Sequence, residues 1–501
     1  MDFPNSPTRP SSTGWRGAAR LAGLLALAFY GLFLARNVGA VAAGSDSSGY
    51  LNQARLLASG RIRAEARTLP GLPLAAAPAF LYTPLGFRQA PDGSGLVPTY
   101  PTGFGLLALA AAPLAGWRHA ADLVVILHSL AGLAATYALG RMLGLARGWA
   151  ALGAALVAAS PLYLFMSLQA MSDVPSLAWT TAGILAALLS RKSPAWALAA
   201  GAAAAIDVLL RPTNALAFVP MAVALGASRR SWVFFICGGL PGAVFYFAHA
   251  IAAYGSLLTT GYGDITDSFS VGYVPGTLVH YGLWMSALFT PVAALAIGLP
   301  WVRGGAPPAR LLLGAWILAF GAFYAFYKCT HETWWYLRFL LPAAPAVVVA
   351  GLLVLRALIS RAIATPLRSL SALAAVSALT ALNSAVLCGH LLVFETVRDE
   401  LRYGNAAGWM RSHLPPGAVC LAFQETGALF YYTNFTFIRW DALTKDNVAK
   451  IEGLIRNSGR PLYAVLFPFE VNQENVLGAV MPGRWRQVGA VSDVTIWRRD
   501  F

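Results

Sequence analysis

Residues Gly44 to Arg61 read GSDSSGYLNQARLLASGR and lie between the first apolar run and a long proline-rich loop. A Ser-rich cap around Asp46 opens this stretch, and apolar residues then recur at helical spacing. Polar residues fall between them, which predicts a helix that lies along a membrane interface with its apolar side down. Asp46 is then held at a helix N-terminus, either as a simple N-cap or as a functional carboxylate.

The composition of the whole chain is that of a membrane protein. Of its 501 residues, 57% are hydrophobic and 11% are charged, and the mean hydropathy is +0.60. Soluble chains carry about 25% charged residues, so most of this chain belongs in lipid. The net charge of +15 is concentrated in residues 1–393, which hold 24 Lys and Arg against 10 Asp and Glu. Residues 394–501 hold 12 against 11, as a soluble surface does.

Apolar runs predict an α-helical polytopic fold with about eleven transmembrane helices. The runs are Leu21–Ala43 and, after a loop at 44–119, residues 120–140, 149–170, 174–190, 194–210, 213–227, 232–253, 283–301, 311–327, 339–355 and 370–393. Several are shorter than the roughly 20 residues of a span, notably the pair around Arg211, so some are expected to cross only halfway. Ala40-Val41-Ala42 resembles a signal-peptide cleavage site, but the long run and Arg36 favour an uncleaved anchor.

Basic residues predict the orientation of these helices. They collect in alternate connections: Arg141 and Arg147, Arg191 and Lys192, Arg229 and Arg230, Arg303 and Arg310, and Arg356, Arg361 and Arg368. The positive-inside rule makes those connections cytoplasmic, which places the N-terminus inside and the C-terminus outside. Because the basic residues stand singly or in pairs between apolar runs, nucleic-acid binding is a poor explanation for them.

Acidic residues of the membrane region follow the opposite pattern. Apart from Asp2 they fall in outward loops or at the outer ends of spans: Asp46, Glu65, Asp92, Asp122, Asp173, Asp207, Asp264, Asp267 and Glu332. Ionisable groups near a membrane are costly and usually mark function, so we expect the chemistry on the outer face.

The chain divides into three predicted parts. Residues 1–17 are rich in Pro, Ser and Thr and are expected to form a disordered cytoplasmic tail. Residues 18–393 form the membrane part, whose first outer loop, 44–119, contains a second short helical run at 106–114 that is expected to be interfacial or re-entrant. Residues 394–501 are expected to form a small extracytoplasmic α/β domain. Its predicted strands lie at 419–423, 435–440, 462–467 and 494–498, with helices at 398–413 and 445–456.

Three outward segments accompany Asp46 as candidate functional sites. The turn MSDVPS presents Asp173, with a helix N-cap as the alternative role. The turn LLRPTN presents Arg211, with a local ion pair to Asp207 as the alternative. The late loop, residues 327–339, packs cations, acids and aromatics together, and an aromatic belt is its alternative. Its candidates are Lys328, His331, Glu332, Trp334, Trp335, Tyr336 and Arg338.

Metal and disulfide signals in the sequence are weak. His331 and Glu332 are adjacent and point in different directions, so they do not make a metal motif. The four cysteines show no CxxC spacing and are interpreted as isolated apolar side chains. A bridge between Cys329 and Cys420, both predicted to lie outside, is the one alternative.

These parts suit transfer from a lipid-linked phosphate ester. Cations near the leaving phosphate are available in Arg211, Lys328 and Arg338. The aromatic residues Trp334, Trp335 and Tyr336 offer stacking faces for a sugar, and Tyr100, His331 and Glu332 complete the expected sugar and acceptor contacts. An outward carboxylate such as Asp46 can take the proton of an acceptor hydroxyl. The chain has no GxGxxG or Walker pattern.

The order of these motifs resembles the GT-C membrane glycosyltransferases that use polyprenyl-phosphate sugars, and within them the aminoarabinose-transferase, protein-mannosyltransferase and RgtA/B/C/D-like group. The matching segments are SDSSGYLNQARLLASGR, YPTGFGLLAL, MSDVPS, LLRPTNAL and RFLLPAAP, followed by a soluble domain. The resemblance implies a bacterial inner-membrane enzyme with Asp46 as catalytic base. It also implies Asp173 near the donor or a divalent metal, and Arg338 on the lipid phosphate.

The sequence departs from the family at two points. Tyr100-Pro101-Thr102 stands where close relatives often have a Lys/His-Pro-Pro step, and Asp46 is a single acid rather than an Asp-Glu pair. These departures leave open the sugar, the metal and the acceptor, whether lipid, polysaccharide or protein. A transporter or flippase of lipid-linked glycans is the first alternative function, although its ionisable groups should lie near the bilayer midplane. A non-catalytic scaffold that binds glycans is the second.

Overall fold

Apolar helices form most of the structure, as the long apolar runs predict. A computed structural model of the chain describes residues 12–302, 307–362 and 366–501. Its α-helices are α1 (Ser12–Asn37), α2 (Asp46–Ala58), α3 (Thr102–Met142), α4 (Arg147–Ala158), α5 (Pro161–Ser167), α6 (Asp173–Leu189), α7 (Trp196–Leu210), α8 (Phe218–Leu225), α9 (Arg229–Tyr254), α10 (Val274–Leu288), α11 (Pro307–Ala325), α12 (Ala344–Ala362), α13 (Pro366–His390), α14 (Val393–His413), α15 (Thr426–Tyr432), α16 (Val448–Asn457) and α17 (Pro468–Asn472). The 3₁₀ segments Pro212–Ala217, Pro291–Trp301, Lys328–His331 and Trp334–Ala343 join some of them.

The predicted polytopic helical fold is confirmed, whereas the number of spans and their orientation stay predictions. Among the described residues, five helices are long and apolar enough to cross a membrane, or up to seven if two bent pairs each count as one span. Four shorter apolar helices coincide with predicted runs: Leu21–Asn37, Asp173–Leu189, Trp196–Leu210 and Pro212–Leu225.

Two local predictions need correction. The span predicted at 283–301 is broken, because the chain bends by 113° at Thr290, which has a φ of 126° and precedes Pro291. Residues 12–17 of the predicted tail are helical, and residues 1–11 lie outside the described part of the chain. The short run at 106–114 lies in the first half of α3, whose two helical halves are joined at Gly116 (φ 71°), and its interfacial or re-entrant placement stays a prediction.

A five-stranded sheet organises the C-terminal region, residues 393–501. Its strands are β3 (Val419–Ala422), β4 (Thr436–Arg439), β5 (Leu462–Leu466), β6 (Trp485–Val491) and β7 (Val494–Arg499), in the order β4-β3-β5-β7-β6. The strands β4, β3 and β5 run parallel, and β7 and β6 are antiparallel to their neighbours. Strand β6 and helix α15 lie where the sequence predicted no element. A small hairpin of β1 (Phe87–Gln89) and β2 (Leu96–Pro98) lies in the first loop.

The two faces of this sheet are covered by different parts of the chain. Side chains such as Cys420 pack on α14 and α15. The alternate residue, Leu421, faces α16 and the first-loop residues Leu69, Leu81 and Tyr82. This period-2 alternation is expected of a strand buried on both faces. The first loop therefore closes one side of the C-terminal core and ties it to the membrane helices.

Helix α2 lies between the membrane helices and the C-terminal region. Its Tyr50 ring packs 5.1 Å from the Phe104 ring of α3. On the other side, Asn52 Nδ2 donates to the Gly427 carbonyl at 3.0 Å, and Arg55 Nη1 donates to the Tyr431 carbonyl at 2.7 Å. The polar side of α2 therefore faces α15, a contact that the sequence did not predict. The placement of α2 along a membrane interface stays a prediction.

The contact between α2 and α15 requires glycine at position 427. A Cβ there would overlap Ser48 Oγ and lie 3.0 Å from the Gly44 carbonyl oxygen. We expect Gly427→Ala to cost about 1–3 kcal/mol of unfolding free energy, because neither neighbour can move without disturbing α2. Thermal unfolding of the purified protein in detergent measures the loss.

Gly453→Ala in α16 is the matched control for this variant, because a Cβ at Gly453 meets nothing within 4 Å. Alanine is favoured over glycine inside a helix, so the control should unfold at the wild-type temperature or slightly above it. Equal unfolding temperatures for the two variants would contradict the close packing of α15 on α2.

Candidate functional site

An ion pair joins the first loop to the late loop. Asp46 is the first residue of α2, after the N-cap residue Ser45, and its Oδ2 accepts from Arg338 Nη2 at 2.8 Å. The interpretation of Asp46 as a simple N-cap is therefore wrong, since its carboxylate bonds a distant arginine and not its own helix. The two side chains are 27% and 13% exposed, so one edge of the pair is open to a ligand.

The surroundings of Asp46 keep its carboxylate ionised. Burial would raise the pKa of Asp46, but the Arg338 guanidinium and the Tyr100 hydroxyl outweigh it and the pKa is lowered from its usual value. The N-terminus of α2 adds a favourable positive potential. The Tyr100 hydroxyl also donates to Ser45 Oγ at 2.9 Å, and this bond holds the turn before Asp46.

A second ion pair lies beside the first and is fully buried. Asp173, the first residue of α6, accepts through Oδ1 from Arg211 Nη2 at 2.7 Å, and none of the Asp173 side chain is exposed. Arg211 reaches it because the residue is extended (φ −151°, ψ 119°) in the break before Pro212, where proline disfavours helix. Asp173 thus pairs with a distant cation, and the interpretation of it as a helix N-cap is wrong.

The alternative of a local Asp207–Arg211 ion pair is also wrong. Asp207 Oδ1 accepts from Asn214 Nδ2 at 2.7 Å, and Oδ2 accepts from Thr180. Asp207 faces α6 from inside α7, whereas Arg211 has already left the helix, so the spacing of four residues does not bring their side chains together.

The two ion pairs meet around one aromatic ring. The guanidinium carbons of Arg211 and Arg338 each lie 5.4 Å from the centroid of Phe339. Ser172 connects this centre to α2, because its Oγ accepts from Arg211 Nε at 3.0 Å and lies 3.0 Å from the Tyr50 hydroxyl. Four separate segments therefore converge: the start of α2, the start of α6, the break after α7 and the late loop.

Three polar atoms of this centre are buried without a hydrogen-bond partner among the described residues. They are Arg338 Nε, Arg211 Nη1 and Asp173 Oδ2. Burying such a group without a hydrogen-bond partner costs free energy, so we expect each of these three atoms to have a functional role. Two free guanidinium N–H groups on neighbouring arginines are suited to binding an anion with several acceptor oxygens, such as a phosphate.

A cleft of about 480 Å³ is lined by Tyr262, whose ring packs 5.8 Å from the Tyr100 ring. The other lining residues include Phe87 and Arg88 of the hairpin and Asp264. Tyr262 therefore links this cleft to Tyr100.

Most late-loop candidates lie away from the two ion pairs. Tyr336 borders the centre, with Arg338 5.8 Å from its ring centroid. The ring of Trp334 packs 5.0 Å from Phe165, Trp335 is 40% exposed, and His331 lies against Tyr273. Lys328 and Glu332 are exposed, and within the described residues none of these five bonds to either ion pair.

The site also contains residues that were not selected from the sequence. Tyr50 looked like one more apolar position of an amphipathic helix, and Phe339 looked like the start of a span. Ser172 lies in the MSDVPS turn but was not selected beside Asp173, and Tyr262 belongs to no motif. Only the tertiary structure brings them to the carboxylates.

The residues present do not fit a metal site or a disulfide. No three His, Cys, Asp or Glu side chains in the described ranges are grouped to hold a metal ion, and both site carboxylates bind guanidinium groups. We therefore derive no step through a metal. All four cysteines are free, and Cys420 is buried in the sheet, so the considered bridge between Cys329 and Cys420 is wrong.

Comparison with known proteins identifies the fold. No protein-family model matches the sequence, and no curated protein sequence is significantly similar to it. The structure is similar to ArnT from Cupriavidus metallidurans bound to undecaprenyl phosphate, with a TM-score of 0.61, 14% identity and coverage of 97% of this chain and 98% of that one.

Two further solved structures share the architecture. The oligosaccharyltransferase AglB from Archaeoglobus fulgidus, in complex with an inhibitory peptide and a dolichol-phosphate, gives a TM-score of 0.57 at 12% identity, over 92% of this chain and 71% of that one. Arabinofuranosyltransferase AftD from Mycobacteria gives 0.54 at 18% identity, over 96% of this chain and 40% of that one. The resemblance predicted from sequence motifs is thus confirmed at the level of the fold: the chain has the architecture of the GT-C membrane glycosyltransferases.

Proposed function

We propose that the protein is an inverting glycosyltransferase that moves a sugar from a polyprenyl-phosphate donor to an acceptor hydroxyl. The observation that carries this proposal is the convergence of Asp46 with Arg338 and Arg211, whose free N–H groups suit a phosphate. The shared fold supports it, since ArnT and AglB were solved with undecaprenyl phosphate and dolichol-phosphate. The likeness to ArnT extends over nearly the whole of both chains.

The arginines act on the donor phosphate. In the donor this group is a diester with one negative charge, and it leaves as a monoester with more. Arg338 Nε and Arg211 Nη1 therefore bind the departing phosphate more strongly than the intact donor. An interaction that strengthens along the reaction lowers the barrier, whereas uniform binding does not.

Asp46 acts on the acceptor. Its carboxylate takes the acceptor hydroxyl proton while the oxygen attacks the anomeric carbon from the face opposite the phosphate. The bond between that carbon and the phosphate oxygen breaks, its electron pair leaves with the lipid phosphate, and the configuration inverts. The proton on Asp46 then passes to water.

Arg338 couples these two roles. Paired with Asp46 it lowers the pKa of Asp46 and makes the carboxylate a weak base. A bound phosphate competes for the same guanidinium, so donor binding draws Arg338 away and lets the pKa of Asp46 rise. The base then becomes strong only when a sugar is in place to be transferred.

The reaction is assigned to the outer face of a bacterial inner membrane, with the N-terminus in the cytoplasm. The positive-inside pattern supports that orientation. Tyr100 and Tyr336 are assigned as contacts to the sugars. Late-loop residues Lys328, His331, Glu332, Trp334 and Trp335 are assigned to the periphery of the donor site.

Asp46→Asn tests the base directly. We expect transfer to fall by about 10²–10⁴-fold, because the amide cannot accept the proton. The assay measures released polyprenyl phosphate and glycosylated acceptor with the purified protein in lipid. Glu65→Gln is the control: Glu65 lies in the same loop with its side chain 92% exposed, and its change should leave transfer intact.

Two results would contradict this assignment. Near-wild-type turnover by Asp46→Asn, with matching thermal unfolding, removes Asp46 as the base. An intact donor after incubation with wild-type protein, but with donor moved across the membrane of a sealed vesicle, indicates a flippase instead.

The lowered pKa of Asp46 predicts the pH dependence of the reaction. The base works ionised, so kcat/KM should be lost only as pH falls through a value below the ordinary one of about 3.9. Arg338→Gln removes the charge that lowers this pKa. The decline of kcat/KM on the acidic side, the acid limb, should therefore move to higher pH, and activity should also fall overall. Arg61→Gln, an exposed change just beyond the C-terminal end of α2, should leave the limb in place. An unmoved acid limb in Arg338→Gln would show that Arg338 does not control the base.

A further inference from the structure

A second cavity lies in the C-terminal region, apart from the ion pairs. Its volume is about 360 Å³, within the range of small-molecule sites. Gln424 lines it from just after β3, and Phe467 and Phe469 line it from just after β5. The cavity therefore lies outside the carboxyl ends of two adjacent parallel strands.

The sheet topology favours a ligand at this position. From β3 the chain passes to β4 on one side, whereas β5 pairs on the other side of β3. Open α/β sheets bind ligands in the crevice where the strand order reverses, beyond the carboxyl ends. The cavity occupies that crevice, and α14 closes it with Arg402 and Tyr403.

The lining indicates the chemistry of the ligand. Arg402 Nη1 and Asp493 Oδ2 are 2.6 Å apart, so the two charges at the rim cancel. The remaining polar side-chain groups are the Tyr403 hydroxyl and the amides of Gln424, Asn472 and Gln473, beside the rings that follow β5. Amides that both donate and accept, next to aromatic faces and without net charge, match a neutral polyhydroxylated ring.

One donor in the lining is still free. Arg402 Nε is buried and has no hydrogen-bond partner among the described residues, and its guanidinium carbon lies 5.0 Å from the Phe467 ring centroid. The adjacent Glu425 is completely buried, and burial raises its pKa well above the usual value, which favours its neutral form. The free N–H is suited to a sugar hydroxyl.

Gln424 connects the cavity to the segment that precedes Asp46. Its Nε2 donates to the Tyr403 hydroxyl at 2.7 Å, and it lies 4.0 Å from where a Cβ on Gly44 would be. Gly44 stands two residues before Asp46. The wall of the cavity thus lies beside the segment that carries the proposed base.

We propose that this cavity binds a neutral saccharide unit of the acceptor, and that the acceptor is therefore a glycan. The acceptor part of this inference rests on the proposed glycosyltransferase function. Saccharide binding by the cavity does not depend on that function. The cavity holds one sugar of the acceptor while a hydroxyl of the next is presented to Asp46.

The test uses the full-length protein in detergent and a panel of methyl glycosides of glucose, galactose, mannose and N-acetylglucosamine. Saturation-transfer NMR should detect binding of at least one member by the wild-type protein and by Asp46→Asn. Phe469→Ala and Asn472→Ala should abolish that signal. Glu474→Ala, an exposed change just beyond α17 and outside the lining, should retain it.

Transfer kinetics give the second readout. With a glycan acceptor, Phe469→Ala should raise KM about tenfold with kcat unchanged, as expected for the loss of one stacking contact. No binding by any panel member, or equal binding by Phe469→Ala, overturns the inference even if transfer still depends on Asp46. Saccharide binding together with Asp46-independent transfer leaves the cavity assignment standing and overturns the proposed base.

Discussion

The pairing of two carboxylates, one fully and one partly buried, with two arginines is the constraint on which the site depends. A carboxylate removed from water is tolerated only when a cation and hydrogen bonds compensate for it. Asp46 and Asp173 obtain theirs from Arg338 and Arg211, which come from distant parts of the chain. The pairs therefore fix α2, α6, the break after α7 and the late loop against one another, with Phe339 between the guanidinium groups.

This arrangement has a consequence for catalysis. Removing either arginine alone would strand a carboxylate. In the proposed reaction the donor phosphate competes with Asp46 for Arg338, and its added negative charge is shared by the N–H groups of Arg338 and Arg211 that have no partner among the described residues. Under that proposal, donor binding and activation of the base are coupled through one guanidinium group. Rigid placement of α2 between α3 and α15 keeps Asp46 in position while the charges rearrange.

The sequence predicted the helical membrane fold and selected all four charged residues of the centre. It did so because ionisable groups are rare in a chain this apolar, and those at the outer ends of spans stand out. It could not pair them, since the partner of Arg211 depends on the extended residue before Pro212 and not on helical spacing. Exposed late-loop residues such as Lys328 were selected by composition, and composition does not tell which side of a loop faces the site.

The sequence also could not predict that α2 is buried between two layers. The amide and guanidinium groups on its polar face donate to backbone carbonyls of α15, which lies far along the chain. Strand β6 was missed because it is an edge strand of mixed composition, WRQVGAV, half exposed along its length. For α2, the partner is a distant segment that a local sequence pattern cannot indicate.

An experimental structure with a bound polyprenyl-phosphate donor analogue would show whether the phosphate binds both arginines and displaces Asp46 from Arg338. We expect phosphate oxygens within hydrogen-bond distance, about 2.7–3.2 Å, of both Arg338 and Arg211. The Asp46 carboxylate should no longer be paired to Arg338 and should face the sugar. A phosphate bound elsewhere, with the Asp46–Arg338 pair intact, would contradict this expectation.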